Sequence, residues 1–271
     1  QMCIRDSQNG ILISDGASLN DIGGPNTEHT NIICKNTHGI SIQNANENFI
    51  INNRIGTNFN DFPSLGNNIG ININGNNDDA YKNVIGGNDV DHGNIFVGNS
   101  IAIQFHQGSI INDINISFNF FGIDKHDLNL TGNDRDIYIL GEAYGSLINN
   151  NIFNNTTTNS IDLSAGENNF FSQNIFKNYL NPTNSSVPIH LVEANFFPND
   201  PQKANITSYD SKTGIVKGIA YPDADIQLYR GLEKGNIFIT DQITSDANGN
   251  WTFTLTSSEM QHINGLSVLQ S

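Results

Sequence analysis

The chain has 271 residues, with 12 Lys+Arg against 27 Asp+Glu, a formal charge of −15. Nucleic-acid and anionic-membrane binding need clustered basic side chains, so this balance argues against both. Charged residues make up only 14%, too few for charge-driven disorder, and no apolar run approaches the roughly 20 residues of a membrane span.

The excess lies in Asn, at 46 copies, and Ile, at 38. An AT-rich coding sequence would raise Lys alongside them, and Lys is scarce, so the excess reads as structural.

The stretch Gln1-Met2-Cys3-Ile4-Arg5-Asp6-Ser7 matches nothing downstream. It resembles translated sequencing-adapter read-through and is expected to lie outside the fold. Cys34 then stands as the single native cysteine, with no disulfide expected and a buried, inert thiol as its state.

A repeat follows. Ile22-Gly23-Gly24 recurs as Ile85-Gly86-Gly87, an offset of 63 residues that Asn31/Asn94, Asn36/Asn99 and Ile40/Ile103 share. Gly56/Gly122, Gly66-Asn67-Asn68/Gly132-Asn133-Asp134 and Ile71/Ile137 recur at 66. A looser copy runs through Asn151–Asn155 and Asn159–Leu163.

Within the repeat, apolar residues alternate: Ile69, Ile71, Ile73; Ile101, Ile103, Phe105; Ile114, Ile116, Phe118; Ile137, Ile139. Alternation is the strand period, and no helical period is sustained. Asn, Gly and Asp bound each block and close tight turns. Three strand–turn blocks per long unit give an elementary period of roughly 21 residues. Short strands bury their apolar faces only by stacking coil on coil, which predicts an all-β parallel solenoid of roughly nine coils. Asn at equivalent turns, as at Asn94, Asn151 and Asn174, is expected to hydrogen-bond in a ladder.

The segments Ile22-Gly23-Gly24, Asn31–Asn36, Asn52-Asn53-Arg54-Ile55-Gly56-Thr57 and Val84-Ile85-Gly86-Gly87 resemble the repeats of bacterial parallel β-helix proteins with the pectate-lyase-like fold. The resemblance covers about residues 8–197 and implies a right-handed helix. It implies no single function, because that family includes lyases, hydrolases, epimerases, adhesins and spacers.

Composition changes near Pro198-Asn199-Asp200-Pro201. Residues 1–200 hold 41 Asn and residues 201–271 hold 5. The expected organisation is a β-helix over 8–197, a linker over 198–208 and a second domain over 209–271. Strands are predicted at 215–220, 224–229, 236–240 and 251–255, with Asp246-Ala247-Asn248-Gly249-Asn250 as a hairpin turn. This spacing predicts a partial β-sandwich with Trp251 in its core. Gly218, the strand at 224–229 and the 246–251 turn resemble bacterial immunoglobulin-like modules, whose further strand this segment lacks, so its edge is expected to fray.

Candidate chemistry is sparse. Asp124-Lys125-His126-Asp127, close to Asp134-Arg135-Asp136, is the dense mixed cluster in which an acid and a base could meet. A hydrolase would need paired carboxylates beside His-Gly, and Asp78-Asp79, His92-Gly93 and His38-Gly39 supply the fragments. Gly86-Gly87-Asn88-Asp89-Val90-Asp91 partly resembles a calcium-binding nonapeptide, in one imperfect copy. Such sites share each ion between tandem turns. The seven histidines form no zinc-type pair. Phe118, Phe120, Phe121, Phe170, Phe171 and Phe176 read as interior stacking residues, or as sugar platforms if exposed.

No residue is singled out as catalytic, cofactor-binding or metal-binding, and no cofactor is expected beyond Ca²⁺ as a candidate ion. The leading reading is a non-catalytic scaffold or binding segment of a large secreted or cell-surface bacterial protein, adhesive or carbohydrate-binding. Its expected partner is a polysaccharide or cell-surface glycan, and its expected state a monomeric segment of a longer chain. The alternative is a carbohydrate-active β-helix enzyme acting on an acidic polysaccharide.

Overall fold

The computed structural model describes residues 3–4, 6–58, 65–75, 80–167, 169–177, 189–191, 205–220, 222–232, 235–260 and 266–270. Three parallel sheets build a solenoid. The first sheet stacks Asn9–Ser14, His38–Gln43, Ile69–Asn74, Ile101–Phe105, Arg135–Tyr144, Ile161–Glu167 and Ile189–Leu191. The second stacks Asp21–Gly23, Phe49–Ile51, Val84–Gly86, Asn115–Ser117, Leu147–Asn149 and Phe170–Ser172. The third begins Cys3–Ile4, Ile32–Ile33, Arg54–Ile55 and Ile95–Phe96. It continues through Phe120–Phe121, Ile152–Asn154 and Ile175–Lys177. Successive turns supply strands to all three sheets, and Ala80–Tyr81 and Ile110–Asn112 add a second strand to the first sheet beside Glu142–Tyr144.

The period differs from the expected one. Ile11, Ile40, Ile71 and Ile103 are successive partners in the first sheet, as are Ile103, Ile137, Ile161 and Ile189. Along the first sheet a turn therefore takes 24 to 34 residues rather than about 21, and nine coils do not fit. The 63-residue repeat is two turns: Ile22 pairs with Ile50, and Ile50 with Ile85. Alternating blocks are not successive coils: Asn115–Ser117 belongs to the second sheet, within the same turn as Ile101–Phe105. A triangular turn uses three strands, so counting blocks overcounts coils.

The Gln1–Ser7 expectation also changes. Cys3–Ile4 pairs in parallel with Ile32–Ile33, and the Asp6 amide donates to the Lys35 carbonyl at 3.0 Å. Cys34 is buried but disulfide-bonded rather than a free thiol. The sequence contains one other cysteine, Cys3.

One apolar cluster fills the solenoid from Ile13 to Phe176, built mainly from Ile on the inward side of each strand. Phe96, Phe121, Phe153 and Phe176 stack face to face, with centroids 4.9, 4.7 and 5.0 Å apart. Their spacing is the strand spacing, so register alone sets the stack. Gly56 and Gly86 explain the recurring glycine of the motif. Each has φ above +90°, and a Cβ there would lie 2.1 and 1.8 Å from a carbonyl of the next turn.

A smaller cluster lies outside the third sheet. Ile95 and Phe120 point outward and are covered by Ile123 and Leu130 from the loop that follows. Phe120 thus stacks with neither the interior column nor solvent.

The C-terminal part is antiparallel. Asn205–Tyr209, Ile215–Ile219 and Asn250–Thr254 form one sheet. Asp225–Leu232, Gly235–Thr244 and Leu266–Gln270 form a second arrangement, which joins the third solenoid sheet where Phe176 pairs with Asn236. The two share an apolar cluster of Val216, Ile226, Leu228, Ile243, Trp251 and Leu255. Trp251 is 3% exposed, as expected of a core residue. The 246–250 turn is present, with Gly249 at φ +78°, but it is not a hairpin. The strand leaving it pairs with Ile215–Ile219, so the turn passes the chain from one sheet to the other. Most of the expected linker, through residue 204, lies outside the described residues.

Candidate functional site

Polar groups inside the solenoid are organised at its three corners. At the corner between the second and third sheets, Asn31, Asn53, Asn94, Asn119, Asn151 and Asn174 form an amide ladder. Each Nδ2 donates to the next Oδ1 at 2.9–3.1 Å. Each Oδ1 from Asn94 onward also accepts the preceding rung's backbone N–H. The second Nδ2 proton goes to a carbonyl, as from Asn94 to Ile50 at 2.7 Å. The buried amide is thereby saturated, which makes the column favourable in a low-dielectric interior. Asn52, Phe118, Asn150 and Gln173, the residues before four rungs, have φ of 52–60°. One left-handed residue turns the corner, and the Asn after it ties that corner to the next.

The other two corners hold ladders that the sequence reading did not separate. Asn20, Asn48 and Asn83 form one. It is interrupted at Ile114, whose amide donates to Ser146 Oγ at 3.3 Å. Asn36, Asn67, Asn99 and Asn133 form the other, with Nδ2–Oδ1 distances of 3.3, 3.0 and 3.0 Å. Asn133 then donates to Asp136 Oδ1 at 3.0 Å, and the Thr156 hydroxyl donates to Asp136 Oδ2. Thr156 also contacts Ser160 Oγ at 3.0 Å. Asp136 has no exposed surface, and burial pushes its carboxyl up to about 7 against the pull of these hydrogen bonds.

The candidate acid–base cluster is therefore dispersed. Asp136 is sealed inside, where no substrate reaches it. Arg135 lies on the outer side, its guanidinium 4.2 Å from the Tyr138 ring centre. Asp124 closes its own turn, accepting the amides of His126 and Leu128 at 2.9 and 2.8 Å. Lys125 pairs with Asp91 at 3.4 Å, and Lys177 with Asp127 at 2.6 Å. These charges fasten a loop rather than converge on a reacting atom.

The remaining candidates also separate. Asp78 and Asp79 lie outside the described residues. His92 packs against Gly87 and lies 3.2 Å from Asp89. His38 contacts Asn9 Oδ1 at 3.0 Å, and burial lowers its pKa. In the calcium-like segment, Asp89 Oδ1 accepts the amides of Asp91 and His92 at 3.0 and 3.2 Å, an ordinary turn cap. Among the described residues, no group of three or more His, Cys, Asp or Glu is placed to hold a metal.

Sequence reasoning missed an outward polar row on the first sheet. Leu12, Ser41, Asn72, Gln104, Tyr138 and Asp162 are successive partners. They alternate with core isoleucines and so face away from the core. Leu12 is 52% exposed, whereas Ser41 and Asn72 are 0 and 4% exposed, and Gln104 and Asp162 are 9%. Gln43 donates to Ser41 Oγ at 3.0 Å. Among the described residues the buried Asn72 Oδ1 has no hydrogen-bond partner. The signal was present as the polar residue between each Ile pair, but short polar runs also describe any solvated strand face.

No protein-family model matches the chain, and no curated protein matches it. No helix among the described residues is long and apolar enough to cross a membrane, which says nothing of a β-barrel.

Proposed function

We propose that the chain is a non-catalytic scaffold and binding segment of a large secreted or cell-surface bacterial protein. In this reading the solenoid is a right-handed, pectate-lyase-like β-helix, the C-terminal part is an immunoglobulin-like module, and the partner is a glycan. One observation carries it: the chain's abundant amides are used between coils, while the outer row on the first sheet sets hydroxyl, amide and carboxylate groups in line with one aromatic ring. Asn72 and Gln104, 4 and 9% exposed, line the row with amides, Ser41 is buried and bonded to Gln43, and half-buried Tyr138, braced by Arg135, supplies the flat apolar surface. A glycan needs that combination of planar hydrogen-bonding groups and a stacking ring. The charge of −15 favours a neutral polymer over an acidic one.

The test incubates the chain with neutral and acidic polysaccharides, with Ca²⁺ and with chelator. It follows new reducing ends, unsaturated-uronate absorbance and retardation in polysaccharide-containing gels. The expected result is retardation by a neutral polymer without turnover, weakened at least fivefold in Tyr138→Ala. Turnover above a heat-inactivated control would replace this reading with the enzymatic one. Absence of retardation by every polymer would remove the glycan partner.

A further inference from the structure

Discontinuities gather around one turn of the solenoid. The ladder at the corner between the third and first sheets ends at Asn133 and Asp136, because the next turn carries Thr156 where another Asn would continue it. The ladder at the corner between the first and second sheets breaks one interface earlier, between Ile114 and Ser146, and crosses this junction only through the Ser146 amide, which donates to Asn169 Oδ1 at 3.0 Å. The first-sheet pairing slips between Ile139 and Glu142, where the strand Arg135–Tyr144 meets Ile161–Glu167. The turn also shortens there, from 34 residues between Ile103 and Ile137 to 24 between Ile137 and Ile161. Cohesion across this junction rests on fewer amide rungs than cohesion across the turns before it.

Asp136 occupies that junction. Its column in earlier turns is Gly10, Gly39, Gly70 and Ala102, residues too small to carry a polar group. The groups that meet its side chain are Asn133, Thr156 and Ser160, all neutral. The neighbouring charges are engaged elsewhere: Arg135 stacks on Tyr138, the Asp134 carboxylate accepts from the Thr157 hydroxyl, and Asp162 lies in the outward row. The third-sheet interior beside it contributes Phe96, Phe121 and Phe153, which carry no charge. Among the described residues no cation faces a carboxylate formed here, and the side chain has no exposed surface.

We propose that this junction is a built-in release point, in which loss of the Asp136 proton loosens the stack on its C-terminal side and leaves the preceding turns intact. Protonated, the side chain accepts from Asn133 and completes the ladder as a neutral cap. Ionised, it places an uncompensated charge at the seam with the fewest rungs.

Hydrogen exchange on the full chain between pH 5.5 and 8.0, corrected for intrinsic rates, tests this directly. Protection of Ile161–Lys177 is expected to fall about thirtyfold, the linkage for a carboxyl moved from 3.8 to about 7. Protection of His38–Ile55 is expected to change less than threefold. Asp136→Asn keeps the acceptor for Asn133 and should abolish the pH response. Thr156→Val removes a hydrogen bond to the carboxylate and should move the midpoint to higher pH. An equal pH response in both segments overturns the proposal, as does a response retained in Asp136→Asn or a midpoint lowered in Thr156→Val. The wild-type comparison of the two segments stands even if a variant does not fold.

Discussion

The solenoid and the C-terminal antiparallel part solve the same burial problem by different means. In the solenoid's interior and corner columns like mostly meets like one turn away: Asn on Asn, Phe on Phe, Ile on Ile. The C-terminal part instead builds one cluster from unlike residues, with Trp251, Leu228 and Val216 packed across two small sheets. Damage to a column should therefore spread along the stack, because each rung satisfies two neighbours. Damage to the C-terminal cluster should stay local.

Deleting one large aromatic from each region should separate these behaviours most clearly. Phe121 lies between Phe96 and Phe153 with no exposed surface, and Trp251 is 3% exposed. Each substitution to Ala should cost about 3–5 kcal/mol. In Phe121→Ala, exchange protection should fall across the third sheet on both sides of the missing ring, while the amides of Ile215–Ile219 stay protected. In Trp251→Ala, the reverse pattern is expected. A uniform loss in both variants would show that the two regions unfold as one unit.

A polar rung should behave like a core residue. Asn119→Ala removes the acceptor for the Asn94 side chain and amide and the donor to Asn151 and to the Ile85 carbonyl. Leaving buried groups unpaired costs about 1–3 kcal/mol each, so the total should approach that of a small core truncation, about 3 kcal/mol. Chemical denaturation would measure it. Asn248→Ala, in the exposed 246–250 turn, should cost less than about 0.5 kcal/mol. Equal losses would mean that the ladder contributes no more than an ordinary turn.

This contrast also explains what the sequence could reveal. The solenoid class and the existence of ladders were legible, because a fixed offset of Asn and Ile is itself the packing arrangement. Turn length was not legible. In the second sheet Ile22-Gly23-Gly24 resembles Ile85-Gly86-Gly87 two turns on more than Ile50-Ile51-Asn52 one turn on, so the 63-residue repeat hid the single turn from Ile22 to Ile50. Asp136 was visible as a charge in a charged run, but its burial depends on a strand whose inner corner had held only Gly and Ala. The polar row was hidden differently: Ser41, Asn72, Gln104, Tyr138 and Asp162 share no residue type, and only the register aligns them.

The smallest expected effect concerns the loop over the third sheet. Ile123 and Leu130 hold it by burial, and Lys177 ties it by an ion pair to Asp127. Asp127 is 70% exposed and Lys177 31%, so water competes for both partners. Exposed pairs contribute about 0.2–1 kcal/mol, and salt screens them. Lys177→Met keeps most of the aliphatic stem and removes the charge, so the midpoint of unfolding should move by less than about 2 °C. Ile123→Ala should move it further, by removing cover from Phe120 and Ile95. If Lys177→Met proved the more damaging, the loop would be an electrostatic strap rather than an apolar cover. The comparison between stacked columns and local clusters would then need a third kind of cohesion, one set by surface charge.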